Sequence, residues 1–249
     1  VSGLLLRLAG PLQSWGERSA FDVRDTAAFP TRSGLIGIIA ASMGIGRDEP
    51  LSALSPLSFT IRVDRPGTRT VDYQTVGGGL PPGRKIPTAD GKGRPPGKGI
   101  MQTWREYLAD AVFVVAVQGP DDLLAEVGRA LARPHWQPYL GRRSCPPSQP
   151  FLLRTDVEDP IAELENAVPL ARLRRGGRPL PVDFLYDTGL PEAVRSEVRD
   201  APSTFATIGR EHRTRPIWTV TRELPSHLGL ADLAVYQQRL GSYLVGQEA

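Results

Sequence analysis

The chain holds a single cysteine, Cys145, and only three histidines, His135, His212 and His227, among 249 residues. One thiol excludes an internal disulfide framework and a multi-cysteine zinc site. The histidines have no metal-ligand spacing, so no metal centre is expected. No run approaches the roughly 18 consecutive apolar residues of a membrane-spanning helix, and the N-terminus lacks a basic-then-apolar signal pattern. A cytoplasmic globular protein is the resulting expectation, and 40% hydrophobic residues suffice for a packed core. A phosphate-binding loop is also missing. Gly78 and Gly83 have the right separation, but Arg84 stands where Lys is needed, no Ser or Thr follows it, and prolines oppose the helix that should come next.

Positive charge is present in clusters. The formal net charge is only +3, yet clustering matters more than the total for binding a polyanion. One cluster is GGGLPPGRKIPTADGKGRPPGKG, residues 77–99, with eight glycines, five prolines, five Lys or Arg and one acid. Such a stretch has too little apolar surface to offset the entropy of ordering it, and its length inside a domain points to a role. It reads as a mobile basic finger that orders on a polyanion or a neighbouring subunit. Further clusters are Arg142 with Arg143, Arg172 with Arg174, Arg175 and Arg178, and Arg210 with Arg213 and Arg215. Together they indicate a nucleic-acid partner.

Hydrophobic periodicity predicts strands over 4–10, 57–65, 70–76, 111–119 and 150–158, and helices after FPTRS and over 121–134. Thr31 or Ser33 caps the first helix, and glycines at 44 and 46 stop it. The order strand, helix, strand, insert, strand, helix, strand matches the split βαβ, ferredoxin-like plan. Beyond residue 160 the pattern weakens to short strands at 181–189 and 215–225 and a terminal helix at 230–244.

Two segments carry candidate chemistry besides the finger. At FPTRSG, free backbone N–H groups and the positive helix end form an anion site, to which Arg32 and Ser33 add donors. In YLGRRSCPP, Gly141 lets a ligand approach the backbone, Arg142 and Arg143 can pair with phosphates, and Tyr139 offers a stacking face. Cys145 reads as a buried thiol, because nothing nearby would lower its pKa. Asp121 and Asp122 read as first-turn helix residues. Metal-independent RNA cleavage would need a general acid and base, nominally His212, Tyr139 and Lys98, but no spacing unites them.

The blocks LLLRLAGPLQSWG, FPTRSGLIGIIAASMGIGR, DYQTV, MQTWREYLADAVFVVAV and PYLGRRSCPPSQP, in this order, resemble the CasD family. These are subunits of Cascade, the type I-E CRISPR surveillance complex, within the RAMP superfamily. The likeness is dense over residues 3–153 and thin beyond. It implies an α+β fold. Residues 1–158 would form a ferredoxin-like core with an inserted thumb hairpin at about 70–105, and 159–249 a smaller, mainly β region ending in a helix. It also implies a non-catalytic, cofactor-free subunit that caps the 5′ handle of the CRISPR RNA (crRNA). Such a subunit would join the large subunit to the backbone subunit and meet target DNA only through the complex. Carried onto this sequence, the RNA-binding residues are Arg24, Arg32 and Ser33, then Arg84, Lys85 and Lys98 in the thumb. Gln102, Thr103 and Arg105 follow at its return, and Tyr139, Gly141, Arg142, Arg143 and Ser144 in the glycine-arginine loop. Related families of other CRISPR types cut precursor RNA, so the alternative is a metal-independent endoribonuclease acting on repeat RNA.

Overall fold

The opening apolar run becomes strand β1 (Gly3–Ala9), buried at every position. A computed structural model describes residues 2–16, 19–20, 22–77, 84, 92–93, 100–173, 176–206, 211–232 and 234–245. Three two-residue strands follow β1: β2 (Leu12–Gln13), β3 (Ser19–Ala20) and β4 (Val23–Arg24). Helix α1 (Arg32–Met43) is capped by Thr31, whose hydroxyl accepts from the Gly34 N–H, and it ends at Gly44 with φ +79°. Next come β5 (Ser58–Arg65), β6 (Thr68–Val76), β7 (Met101–Ala109), β8 (Val112–Gln118) and α2 (Asp121–Ala132). The paired acids 121 and 122 do lie in the first turn of α2. The chain continues through β9 (Leu152–Val157), α3 (Pro160–Asn166), β10 (Leu180–Tyr186), β11 (Val194–Thr204), β12 (Glu211–Leu224) and α4 (Val235–Val245).

The main sheet has seven strands in the order β11-β12-β10-β5-β8-β1-β9, each pair antiparallel. Its β5-β8-β1-β9 part, with α1 and α2, is the ferredoxin-like arrangement expected from element order. Alternation puts Leu4, Leu6, Leu8, Phe113, Val115 and Val117 into the core beneath α1 and α2. Leu5, Val112, Val114 and Ala116 enter a second core shared with Leu164 of α3 and Tyr236 and Leu240 of α4. Both faces of the central strands are therefore covered, which is why they read as unbroken apolar runs.

The C-terminal strands join this same sheet through β10, where Phe184 pairs with Arg62 and Tyr186 with Thr60 of β5. β12 spans 14 residues where a shorter strand at 215–225 was expected, and β11, 11 residues long, lies where no strand was expected. Most of β11 is exposed, and its register shifts twice, so neither apolar alternation nor length shows in the sequence.

β7 is the spine of a second, smaller sheet. It pairs with β6 along one edge and with β2 and β4 along the other. The β6–β7 register runs unbroken from Thr68↔Ala109 to Val76↔Met101, forming the stem of the thumb hairpin. Between Gly77 and Ile100 only Arg84, Lys92 and Gly93 are described; Arg84 is exposed, and Lys85 and Lys98 lie outside the described residues. Among the described residues, no helix is long and apolar enough to cross a membrane.

Candidate nucleic-acid interface

Trp15 organises the site from beneath. It is 1% exposed, and Gly34 of α1 leaves room for it, since a Cβ there would lie 2.7 Å from the indole. Its Nε1–H donates to Gln13 Oε1 at 3.1 Å, while Gln13 Nε2 donates to the carbonyls of Leu8 and Ala111. The segment after β2 is thus pinned between the main sheet and α1. From this anchor, the Trp15 N–H donates to Thr26 Oγ1 at 2.8 Å and the Ala27 N–H to the Trp15 carbonyl at 2.7 Å, holding the end of β4. The Ser14 N–H donates to the Leu140 carbonyl at 3.1 Å, which brings in the glycine-arginine loop. The same loop is tied to the last turn of α1 by His135 N–H to Ser42 O at 2.9 Å and Trp136 N–H to Ala41 O at 3.2 Å.

These ties enclose a cleft of about 1080 Å³. The expected residues Arg24, Ser33, Tyr139, Gly141, Arg142 and Arg143 all line it. So do Arg47, Trp136, Phe205 and His212, which sequence reasoning did not single out as binding residues. The signal for Trp136 was an aromatic two residues from a proline in a basic loop, and it is 47% exposed. Phe205 had no local signal, because it reaches the cleft only through the β11–β12 hairpin. A second, smaller cleft of about 500 Å³ is lined by Thr70, Gln74, Arg105 and Ser144, among others. The two adjoin, as Arg24 pairs directly with Arg105 across β4 and β7.

The arginines divide into two groups. Arg24 and Arg143 are exposed and have no ion pair among the described residues. Arg142 is a brace: its Nη2 donates to the Arg24 carbonyl at 2.9 Å, and its guanidinium lies 4.6 Å from the centre of the Tyr107 ring. Its Nη1 is buried with no hydrogen-bond partner among the described residues. Arg32, expected to donate to a bound phosphate, has other partners. Its Nη1 donates to Asp187 at 2.5 Å and its Nη2 to the Leu57 carbonyl at 2.7 Å. The free N-terminus of α1 is also engaged, the Arg32 N–H donating to Asp200 at 2.7 Å. Arg172 donates to the carbonyls of Asp64 and Pro181 instead of facing solvent.

Gly141 has a different reason to be glycine from the one expected. Its φ is +84°, and a Cβ would stand 1.7 Å from the Ser14 carbonyl oxygen. The close approach belongs to the protein's own backbone. At the thumb's return, alternation separates the expected residues. Thr103 is buried and accepts from Arg105 Nε at 3.4 Å, whereas Gln102 is exposed on the opposite face of the stem.

Cys145 is 1% exposed, and burial pushes its thiol above the usual range, against the weaker pull of Ser144 and Arg142. A maleimide applied to the native chain at neutral pH is expected to leave Cys145 unlabelled, and to label it once denaturant is added. Rapid native labelling, read by mass spectrometry, would contradict the burial. Tyr139 and His212 do share the cleft lining, while Lys98 lies outside the described residues. No group of three or more His, Cys, Asp or Glu among the described residues is placed to hold a metal ion.

The outer face of the thumb stem is of another kind. Tyr73 and Trp104 meet with ring centres 5.4 Å apart, and with Val23 and Val71 they leave four large apolar side chains 38% to 56% exposed.

Known proteins share this sequence and fold. Residues 3–223 match the family described as CRISPR-associated protein (Cas_Cas5). The CRISPR system Cascade subunit CasD of Escherichia coli (strain K12) is 39% identical over 184 residues, covering 68% of this chain and 78% of that protein. A chain of a solved CRISPR RNA-guided surveillance complex is 47% identical, with a TM-score of 0.89 over 98% of this chain and 100% of its own. A solved Cas protein is 32% identical, with a TM-score of 0.64 over 93% of this chain and 99% of its own.

Proposed function

The chain belongs to the CRISPR-associated Cas5 family, and from that premise we propose that it caps the 5′ handle of a crRNA. It is a CasD-type subunit of a CRISPR Cascade surveillance complex. The observation that carries the handle reading is the convergence of Arg24, Arg142, Arg143 and Tyr139, from two distant segments, on one cleft. Exposed cations there meet backbone phosphates, and Tyr139 and Trp136 present faces on which unpaired bases stack. Arg105 and Ser144 in the adjoining cleft extend the track along the thumb stem. The chain works in the cytoplasm as a binding subunit without a cofactor, and target DNA is met through the assembled particle.

Its second role is to join the large subunit to the first backbone subunit. The Val23, Val71, Tyr73 and Trp104 patch supports this, since exposed aromatics grouped with aliphatic side chains make protein-interface anchors.

The test is titration of a labelled RNA carrying the handle against the full chain at several salt concentrations. Each phosphate that is no longer neutralised lowers the slope of log K against log salt by about 0.7 for a single strand. Arg143→Ala is expected to lower the slope by that amount; Arg142→Ala weakens binding further because it removes the brace to Arg24. Unchanged affinity in the double variant would remove the cleft from the RNA path. The same RNA incubated with the chain in EDTA is expected to stay intact, and a specific cut at the handle would instead assign endoribonuclease activity.

A further inference from the structure

The cleft has a wall built by the far end of the main sheet. Phe205, directly after β11, and His212, the second residue of β12, both line it. Phe205 is half-buried over α1, its ring 3.8 Å from where a Cβ on Gly37 would stand. The ring therefore packs against α1 and also contributes to the lining of the cavity that Tyr139 and Trp136 share.

Four charged groups hold this hairpin in place. Asp200 sits at the first register shift of β11, between Val198 and Ala201, and is 1% exposed. Its Oδ1 accepts from Arg215 Nε at 2.6 Å, and its Oδ2 from Arg215 Nη2 at 2.9 Å and from the Arg32 N–H at 2.7 Å. Asp187 accepts from Arg215 Nη1 at 2.6 Å, Arg32 Nη1 at 2.5 Å and the Phe59 N–H at 3.1 Å. The cluster thus joins β11 and β12 to the first residue of α1 and to the start of β5. Charge-assisted bonds of this kind are short, directional and little screened when water is excluded. Asp200 also complements the positive end of α1, so the contact forms only when the hairpin leans onto the helix.

We infer that the β11–β12 hairpin is the closing wall of the RNA cleft, Phe205 contacting a base and the Arg32–Asp187–Arg215–Asp200 cluster latching it against α1. The inference rests on the handle-binding reading above. It makes Arg32 and Arg215 positioning residues: their charge is consumed by Asp187 and Asp200 and leaves none for phosphate.

Contact and positioning separate on the salt dependence. Asp200→Asn keeps the side chain's shape but removes the charge and one acceptor. In the RNA-free chain it is expected to speed amide exchange over 201–206 and 211–213 while β1 and β8 stay protected. With labelled handle RNA its affinity is expected to fall about fivefold at an unchanged salt slope, since every phosphate stays paired with its cation. Phe205→Ala, which leaves the latch intact, is expected to weaken binding about tenfold, and Phe205→Trp to restore it. Unaltered exchange in Asp200→Asn would overturn the latch. Faster exchange with full affinity, or a Phe205→Ala variant that binds like the parent, would overturn the wall. A flatter slope in Asp200→Asn would make Arg32 or Arg215 a phosphate contact and overturn their positioning role. Failure of the parent chain to bind handle RNA falls on the handle reading itself, appears before any variant is made, and takes this inference with it.

Discussion

Replacing Asp64 with alanine is expected to lower the unfolding free energy by about 3–5 kcal/mol, the usual cost of stranding a buried partner charge. Arg62 and Asp64 are both 0% exposed and joined by two bonds, Nε to Oδ1 at 2.7 Å and Nη2 to Oδ2 at 3.0 Å. Arg62 donates onward to the carbonyls of Leu164, Val168 and Pro169, while Asp64 accepts from the Ala171 N–H. The pair thereby fastens the segment after α3 to β5. With the carboxylate gone, the guanidinium keeps its carbonyl partners but loses its counter-charge in a site shielded from solvent. For a chain of this size the melting temperature should drop by roughly 6–20 °C. A control lies next in sequence. Arg65 and Asp110 form a bidentate pair with side chains 29% and 76% exposed. Asp110→Asn, which removes the charge but keeps a side chain suited to the φ of +57° there, should therefore cost no more than about 1 kcal/mol. Urea denaturation of both variants decides the matter: equal losses would mean that burial does not govern the Arg62–Asp64 pair.

Gly141→Ala is expected to do the most damage to the site for the smallest change in side chain. The backbone conformation alone costs a non-glycine residue about 1–3 kcal/mol. The 1.7 Å approach to the Ser14 carbonyl cannot be kept at all, so the loop or the segment before Trp15 must move. Either movement breaks the Ser14 N–H to Leu140 carbonyl bond and pulls Arg142 off Tyr107 and the Arg24 carbonyl. Handle affinity should fall at least tenfold, more than for Arg143→Ala, and the melting temperature should fall with it. Gly241→Ala is the comparison, because that glycine lies inside α4 with no described residue within 4 Å of a new Cβ. It should raise stability by about 0.5–1 kcal/mol through helix propensity. A Gly141→Ala chain that melts and binds like its parent would contradict the close approach.

Several sequence expectations rested on local physics and hold in the structure. The apolar runs of β1 and β8, the helix start at Thr31, the first-turn acids of α2 and the buried Cys145 all depend on a residue and its near neighbours. The thumb stem was readable because the alternation of β6 stops where the glycine-rich stretch begins. β11 was not, since an exposed strand with two register shifts has no apolar period to show. Arg62 and Asp64 looked like ordinary polar positions of a half-buried strand. Nothing in the sequence announces that the other face of that strand is covered by α3, the segment after it and α4.

What the sequence determined by itself was the order of strands and helices in the ferredoxin-like core, the composition of the thumb and the number of cations available for a polyanion. Tertiary structure decided which of those cations remain available. Arg32 meets Asp187 across 155 residues and Arg142 meets the Arg24 carbonyl across 118, while Arg24 and Arg143 stay exposed. The reason is that a side chain's charge is fixed by its chemistry, whereas the group that neutralises it is chosen by whichever distant segment the fold lays within about 3 Å.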